Sequence, residues 1–300
     1  MTQTERRNLR NGLLFISPWI IGFLVFMLGP ILFSLYAGFC EYSVLRPPEW
    51  IGASNYADLA TDEVFWQALG NTLIFAAFSI PLGVLVSLFL ALILNTGVRG
   101  LTVFRTIFFL PSLVPMVALA IIWLWIFNGE NGVLNYFIAT VLDWFGLQAT
   151  PPGWLSDPTW SKPALVMMST WTVGHAIVIY LANLQDVPEQ LYEAADLDGA
   201  SYLMKLRHVT LPMISPVILF NLIMGIIGTL QTFAVPYVIS PRGSPARSIY
   251  FLAMYLYDNA FPYLRMGYAC AIAWILFILI LVLTLMALKL SARRVHYGVQ

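Results

Sequence analysis

Charged residues are scarce in this sequence. Asp, Glu, Lys and Arg make up only 10% of its 300 residues, whereas 60% are hydrophobic. The mean hydropathy of +0.80 is higher than the core of a water-soluble domain requires, so an integral membrane protein is expected. The formal net charge is zero. The sequence has no excess of basic residues, so it does not indicate a nucleic-acid partner.

Cysteine is almost absent as well. The two cysteines, Cys40 and Cys270, both border apolar runs. Two are too few for a disulfide framework or a cysteine-based metal site, so packing is the expected role of both. The sequence predicts no metal site and no cofactor bound by this chain.

Chemistry that supplies energy is missing too. No G-x-x-x-x-G-K-[ST] loop exists, so the chain cannot bind ATP in the P-loop manner. The long uncharged runs hold no carboxylate of the kind that proton- or sodium-driven carriers usually need. They also lack paired carboxylates and a nucleophile elbow, so no enzyme activity is expected. The sequence therefore predicts a path through a membrane without an energy source of its own.

Long uncharged runs account for most of the chain. Each has about 20 residues or more, which is the length that an α-helix needs to cross a bilayer. The expected fold class is an all-α integral membrane protein with six transmembrane helices inside residues 11–288. Residues 1–10 and 289–300 are expected to be tails, and residues 186–210 a polar loop. The predicted spans are residues 12–39, 70–95, 106–128, 163–184, 211–238 and 266–288.

The distribution of positive charge predicts the orientation. If the N-terminus is inside, ten of the fifteen Lys and Arg residues lie in cytoplasmic segments and five in outside loops. Because cytoplasmic loops carry an excess of Lys and Arg, both termini are predicted to be cytoplasmic. The most strongly charged stretch, residues 186–212, is then inside the cell. We call this stretch the charged hairpin.

The charged hairpin reads DVPEQLYEAADLDGASYLMKLRHVTLP, which predicts two short helices with a break between them. Asp186 and Glu189 have the spacing of a capping box, with Pro188 in the first turn, so a helix is expected to begin here. Gly199 can adopt the left-handed geometry that ends this helix. Pro212 is typical of the first turn of the next hydrophobic run.

One face of the first predicted helix is acidic. Glu189, Glu193 and Asp196 share that face, and like charges at helical spacing repel each other. A solvated surface is the ordinary explanation of such a stripe. A cationic protein partner is the alternative, and Ala194 and Ala195 are small enough to let another surface come close.

The charged hairpin resembles the EAA signature of permease subunits of binding-protein-dependent ABC importers. The words LYEAADLDGAS and VTLPMISP are similar to the carbohydrate branch of that family, the maltose and glycerol-phosphate type. Val209 stands where the family usually has isoleucine, and Leu206 where an aromatic residue is common. The signature is carried by Glu193-Ala194-Ala195, Gly199, Val209 and Leu211-Pro212.

The resemblance implies a type I ABC importer permease fold, in which the charged hairpin docks on a separate ATPase subunit. It implies a second permease subunit that forms a heterodimer, an ATPase dimer that binds ATP and Mg, and an extracytoplasmic solute-binding protein. It also implies a multi-pass position in the lipid of the bacterial inner membrane. The implied coupling residues are Glu193, Ala194, Ala195, Asp198, Gly199, Leu211 and Pro212.

Uncharged polar side chains in the predicted fifth span are candidates for contacts with a sugar or polyol. They are Asn221, Gln231 and Thr232, and helix-to-helix hydrogen bonds are the alternative for each. His175 is the only His, Asp, Glu, Lys or Arg residue within a predicted span. An ionisable residue there indicates a function, and a neutral imidazole bonded to a neighbouring helix is the alternative.

Three functions fit these features. The first is the permease subunit of an ATP-driven ABC importer for a sugar or related polyol. The second is a stand-alone secondary transporter or channel, and the third is a membrane scaffold that transports nothing. The resemblance of the charged hairpin and the missing energy source favour the first.

Overall fold

The computed structural model describes residues 2–96, 100–147 and 150–292. Over these ranges the chain is mostly helical, as predicted. The strands in the described ranges form one two-stranded antiparallel sheet, Cys40–Ser43 with Arg46–Trp50, which the sequence analysis did not predict. Arg99, Arg293 and Arg294, which entered the charge count, lie outside the described residues, as does most of the predicted tail 289–300.

The helices follow one another with short breaks. π-Helical turns occur at Leu24–Leu28 and Leu206–Thr210, and a 3-10 turn occurs at Leu110–Leu113. In chain order, the α-helices of the described residues are Gln3–Phe23, Gly29–Ala37, Ser54–Thr61, Glu63–Leu94, Leu101–Phe109, Met116–Ile126, Val133–Trp144, Pro158–Trp171, Gly174–Gln185, Glu189–Leu197, Tyr202–Lys205, Leu211–Met213, Ser215–Leu230, Ala234–Ile239, Leu252–Ala260 and Met266–Ser291.

Within the described ranges, four helical segments are long and apolar enough to cross a membrane. Two bent pairs also qualify if each is counted as one span: Leu101–Leu113 with Met116–Ile126, bent by 100°, and Pro158–Trp171 with Gly174–Gln185, bent by 45°. The predicted number of six is reached on that count. The four single segments are Gln3–Ala37, Glu63–Leu94, Ser215–Ile239 and Met266–Ser291.

Two of the predicted segments have local structure that the sequence analysis did not describe. The predicted span 106–128 is not one straight helix, because Val114 precedes Pro115 and is extended, with a ψ of 128°. The ring of a proline disfavours helical geometry in the residue before it. The predicted N-terminal tail is also part of the first helix, which begins at Gln3 with a Thr2–Glu5 capping box.

The chain divides into two compact units, and the first contains residues 1–62 and 256–275. Its helix Ser54–Thr61 is held by the buried Asn55 side chain. The Asn55 amide donates hydrogen bonds to the Gly38 carbonyl (3.0 Å) and the Cys40 carbonyl (2.9 Å). These bonds fix the short helix to the point where the first long helix gives way to the sheet.

The second unit contains residues 63–255 and 276–300 and includes the charged hairpin. A cluster of buried apolar residues joins the end of Glu63–Leu94 to the helix Gly174–Gln185. We call this cluster the apolar seat. Its buried members are Ala91, Leu94, Ile177, Tyr180, Leu181, Leu184 and Ile214.

Candidate functional site

The first helix of the charged hairpin spans Glu189–Leu197, and its N-cap is Pro188. No side chain caps its first amide groups, so the predicted capping box is wrong. An N-cap residue needs extended backbone angles. Asp186 instead closes the preceding helix, with φ of −83° and ψ of −8°, and is therefore in the wrong conformation to cap the next one.

The helix ends at Gly199 in the predicted way. Gly199 has a φ of +71°. Its amide donates to the Asp196 carbonyl (3.0 Å), and the amide of Ala200 donates to the Ala195 carbonyl (2.9 Å), which together form a Schellman motif. A Cβ built on Gly199 would meet nothing within 4 Å. Glycine is therefore required here by the backbone conformation and not by lack of space.

The second helix starts after Ser201, whose hydroxyl accepts a hydrogen bond from the Met204 amide (3.5 Å). The helical path continues from Tyr202–Lys205 through the π-helical turn Leu206–Thr210 into Leu211–Met213. Pro212 lies in the first turn of that last segment, as predicted. The charged hairpin is thus two helical arms joined at Gly199.

Two side-chain contacts fix the angle between the arms. The Lys205 ammonium lies 2.7 Å from an Asp196 carboxylate oxygen. The Tyr192 hydroxyl is hydrogen-bonded to the hydroxyl of the buried Thr210 (2.9 Å). An exposed ion pair contributes only about 0–1 kcal/mol, so the first contact sets geometry more than it stabilises the fold. Asp196 is therefore neutralised within the hairpin and does not belong to a free acidic stripe.

The two ends of the charged hairpin, which we call its stems, pack on the apolar seat. Val187 and Leu211, one from each stem, are partly buried against it, and Ile214 is one of its buried members. The predicted coupling residue Leu211 is therefore a packing residue of the stem. The stems therefore pack against residues of the helices Glu63–Leu94 and Gly174–Gln185.

The part of the charged hairpin around Gly199, which we call its tip, is exposed. Among the predicted coupling residues, Glu193, Ala194, Asp198 and Gly199 are exposed, and Ala195 is half-buried. The structure thus brings these five onto one accessible element.

The same tip carries an apolar patch that the sequence analysis did not identify as a binding surface. Exposed large apolar side chains, when they form a contiguous patch, usually mark a contact with another molecule, and these four are close in the sequence. The sequence contained a sign of this surface, because large apolar residues lie within the most charged stretch of the chain. The tip patch consists of Leu197 (91% exposed), Leu203 (72%), Tyr202 (65%) and Met204 (52%).

Two cavities within the second unit contain the polar residues predicted for solute contact. Gln231 and Thr232 line a cavity of about 510 Å³. Asn221 lines a different cavity of about 370 Å³. Ser169, Thr172 and His175 line both cavities. The structure therefore places Gln231 and Thr232 in the same cavity and Asn221 in the other one.

The hydrogen bonds of these candidates lie mostly within their own helix. The Asn221 amide donates to the Val217 carbonyl (3.1 Å), and the Thr232 hydroxyl donates to the Gly228 carbonyl (3.4 Å). Across the part of the chain that the structure describes, neither of these bonds goes to a different helix. Asn221 is also the side chain that approaches the buried hydroxyl of Tyr180.

His175 is exposed and lines both cavities. Its ring makes an edge contact with Phe109, with ring centroids 5.2 Å apart. Within the described ranges its imidazole has no hydrogen-bond partner, so the bond to a neighbouring helix that was the alternative explanation is not formed.

Gly174 explains how the two bent helix pairs come together beside these cavities. A Cβ at this position would lie 2.8 Å from the Phe108 carbonyl oxygen and 2.9 Å from the Ser112 hydroxyl. Only glycine allows the two breaks to approach so closely. His175 is the next residue, and its position follows from this contact.

These features define a membrane permease, with several apolar helices, polar cavities between them and an exposed helical hairpin. The family model described as binding-protein-dependent transport system inner membrane component matches residues 79–297. The chain belongs to this family of ABC transporter permeases, and it is a multi-pass protein of the inner membrane. The predicted family and localisation are confirmed.

Similar proteins match over nearly the whole chain. A probable ABC transporter permease protein, YesP of Bacillus subtilis (strain 168), is 38% identical over 99% of this chain and 95% of its own length. The lactose transport system permease protein LacF of Rhizobium radiobacter is 35% identical over 98% of this chain and 100% of its own length.

A solved structure confirms the fold class. A chain of a bacterial alginate ABC transporter, crystallised in complex with an alginate pentasaccharide-bound periplasmic protein, superposes with a TM-score of 0.83 at 26% identity. The match covers 98% of this chain and 99% of that one. The fold is that of a type I ABC importer permease, as the resemblance of the charged hairpin to the EAA signature implied.

Proposed function

We propose that this chain is the permease subunit of an ATP-driven importer for a sugar or oligosaccharide. Relatives that match over most of the chain are named for transport of lactose, of arabinooligosaccharides and of trehalose and maltose. The similar solved structure carries an alginate pentasaccharide on its periplasmic protein. These substrates share a dense array of hydroxyl groups, which neutral polar side chains can bind.

The partners in this proposal supply what the chain lacks. A second permease subunit completes the path, and an ATPase dimer binds ATP and Mg. An extracytoplasmic solute-binding protein delivers the substrate. On the predicted orientation, the charged hairpin lies in the cytoplasm and binds the ATPase.

The observation that carries this proposal is the contrast between the two ends of the charged hairpin. Its tip is exposed and its stems are anchored on the apolar seat. When the ATPase dimer closes, it moves the tip, and the packed stems transmit the movement to Glu63–Leu94 and Gly174–Gln185. A rigid-body change of this kind exchanges inward-open and outward-open states. Glu193 contacts a basic group of the ATPase, and Gly199 sets the angle between the arms.

The solute path in this proposal runs through the two polar cavities. Gln231 and Thr232 bind hydroxyl groups in the first cavity, and Asn221 binds them in the second. Ser169, Thr172 and His175 lie between and face both. A hydroxylated solute thus exchanges one set of neutral hydrogen bonds for the next without meeting a fixed charge.

Reconstitution tests the proposal against its alternatives. A growth screen of a deletion strain on single carbon sources identifies the solute. The purified chain is then placed in liposomes with and without its second permease subunit, ATPase and solute-binding protein. We expect uptake only with the complete set and ATP. Uptake by this chain alone would establish a secondary transporter or channel, and normal growth of the deletion strain on every carbon source would favour a scaffold.

Substitution in the first cavity is expected to change transport without uncoupling the ATPase. Gln231→Ala and Thr232→Val each remove one hydrogen-bonding group, which is worth about 0.5–1.5 kcal/mol and corresponds to a roughly two- to tenfold lower transport efficiency. The measurement is initial uptake at several solute concentrations, with ATPase stimulation recorded on the same samples.

The matched control for this experiment is Thr170→Val. The Thr170 hydroxyl bonds to the Met167 carbonyl of its own helix (2.7 Å), and the side chain lines neither cavity. Its uptake should equal that of the wild type. If Gln231→Ala and Thr232→Val behave like this control, the two residues do not contact the solute.

A further inference from the structure

An apolar groove of about 760 Å³ runs between the helices Glu63–Leu94 and Pro158–Trp171. Large apolar side chains line it and remain exposed, among them Phe78 (66%) and Leu85 (63%). Lys162 is the one charged residue among those that line it. The groove shares only Phe75 with the first polar cavity, no lining residue with the second, and none with the charged hairpin.

The length of the groove matches one leaflet of a bilayer. Its lining on Glu63–Leu94 extends from Ile74 to Leu85. Eleven residues of α-helix rise about 16 Å, which is roughly half of the 30 Å hydrocarbon core. An apolar channel of this length on a membrane-spanning helix can hold one extended acyl chain.

Lys162 lies at one end of the groove. A hydrogen bond between the hydroxyls of Ser169 and Ser79 (3.4 Å) brings those two residues to the same level. Lys162 is seven residues before Ser169, about 10 Å nearer the start of its helix. It therefore stands close to the Ile74 end. On the predicted orientation, this end faces outward.

Lys162 is half-buried, and its ammonium group has no counter-ion among the described residues. A charge that is partly removed from water without a partner raises the free energy of the protein. A lysine at the end of an apolar surface usually lays its stem along that surface and extends its charge to the headgroup level. Trp160, two residues away, is of the type that settles at this level.

We propose that this groove binds an anionic phospholipid, with one acyl chain along Phe78 and Leu85 and the phosphate group at the Lys162 ammonium. The lipid supplies both the apolar chain and the negative charge that the groove requires. A lipid phosphate lies at the headgroup level to which Lys162 extends its charge, so a single lipid molecule meets both requirements. The proposal does not depend on which solute the protein carries.

Native mass spectrometry of the full-length chain, purified in detergent within its transporter complex, tests this site. The probes are phosphatidylglycerol and phosphatidylcholine with identical acyl chains. We expect phosphatidylglycerol to bind more tightly, and Lys162→Gln to weaken its binding about tenfold, because a charged hydrogen bond is lost. Lys162→Arg should keep the preference. Ala77→Trp, which fills the groove, should reduce the binding of both lipids.

Arg46→Gln is the matched control, since Arg46 is an exposed cation outside the groove, and it should leave the lipid preference unchanged. Equal binding of the two lipids by the wild type would overturn the proposal. So would unchanged phosphatidylglycerol binding by Lys162→Gln. Cross-linking of the Ala77→Cys variant to another protein chain in native membranes would identify the groove as a subunit interface instead.

Discussion

Replacing Gly199 with valine is expected to reduce uptake about tenfold or more while the protein still inserts into the membrane. Gly199 has a φ of +71°, which costs an ordinary L-residue about 1–2 kcal/mol and a β-branched one more. The Schellman hydrogen bonds hold Gly199 in this conformation, so relieving the strain breaks them and disturbs the contacts that set the angle between the two arms. Uptake and ATPase copurification are measured on the same membranes.

Gly199→Asn is the control that isolates the backbone conformation. Asparagine tolerates left-handed geometry, so this variant should keep a large part of the uptake. If the asparagine and valine variants lose uptake equally, the requirement at this position is close approach of a partner and not the angle between the arms. Normal uptake by both variants would remove the charged hairpin from the coupling mechanism.

The features that the sequence predicted correctly are those with a local physical cause. The length of the uncharged runs predicted the membrane segments, because a helix must satisfy its own backbone hydrogen-bonding groups within lipid. Gly199 predicted the helix end, because one residue type dominates left-handed positions. The EAA signature predicted the family, because its residues lie close together in the sequence.

Features that depend on two distant residues were not predictable in the same way. The acidic stripe was read from helical spacing alone, but Lys205 pairs with Asp196 from the other arm. The capping box failed because Asp186 belongs to the helix before it. In each case the sequence spacing was correct, but a second structural element determined what the residue does. For Asp196 that element is the other arm, and for Asp186 it is the preceding helix.

The candidate solute path illustrates the same limit. Asn221, Gln231 and Thr232 were chosen as polar groups of one span. Asn221 lines one cavity, whereas Gln231 and Thr232 line another, and both cavities also need Ser169, Thr172 and His175 from a different part of the chain. A pattern within one span does not show which residues of other helices complete each cavity.

Substituting aspartate for Leu197 and Leu203 together is expected to lower copurification of the ATPase about 100-fold. Both side chains belong to the tip patch and are exposed, at 91% and 72%. Burying a leucine side chain in an interface is worth about 1.5–3 kcal/mol, so two of them account for at least this factor. The fold of this subunit should be unaffected, because neither side chain packs on the apolar seat.

Leu45→Asp provides the matched control for the tip patch. Leu45 is 79% exposed at the turn of the two-stranded sheet, which the predicted orientation places on the opposite side of the membrane. This variant should copurify with the ATPase at the wild-type level. Leu197→Met with Leu203→Met should also retain the complex, since apolar area is preserved. If the double aspartate variant binds the ATPase normally, the partner is held by Glu193 and the other exposed charges of the tip, and the apolar side chains face only solvent.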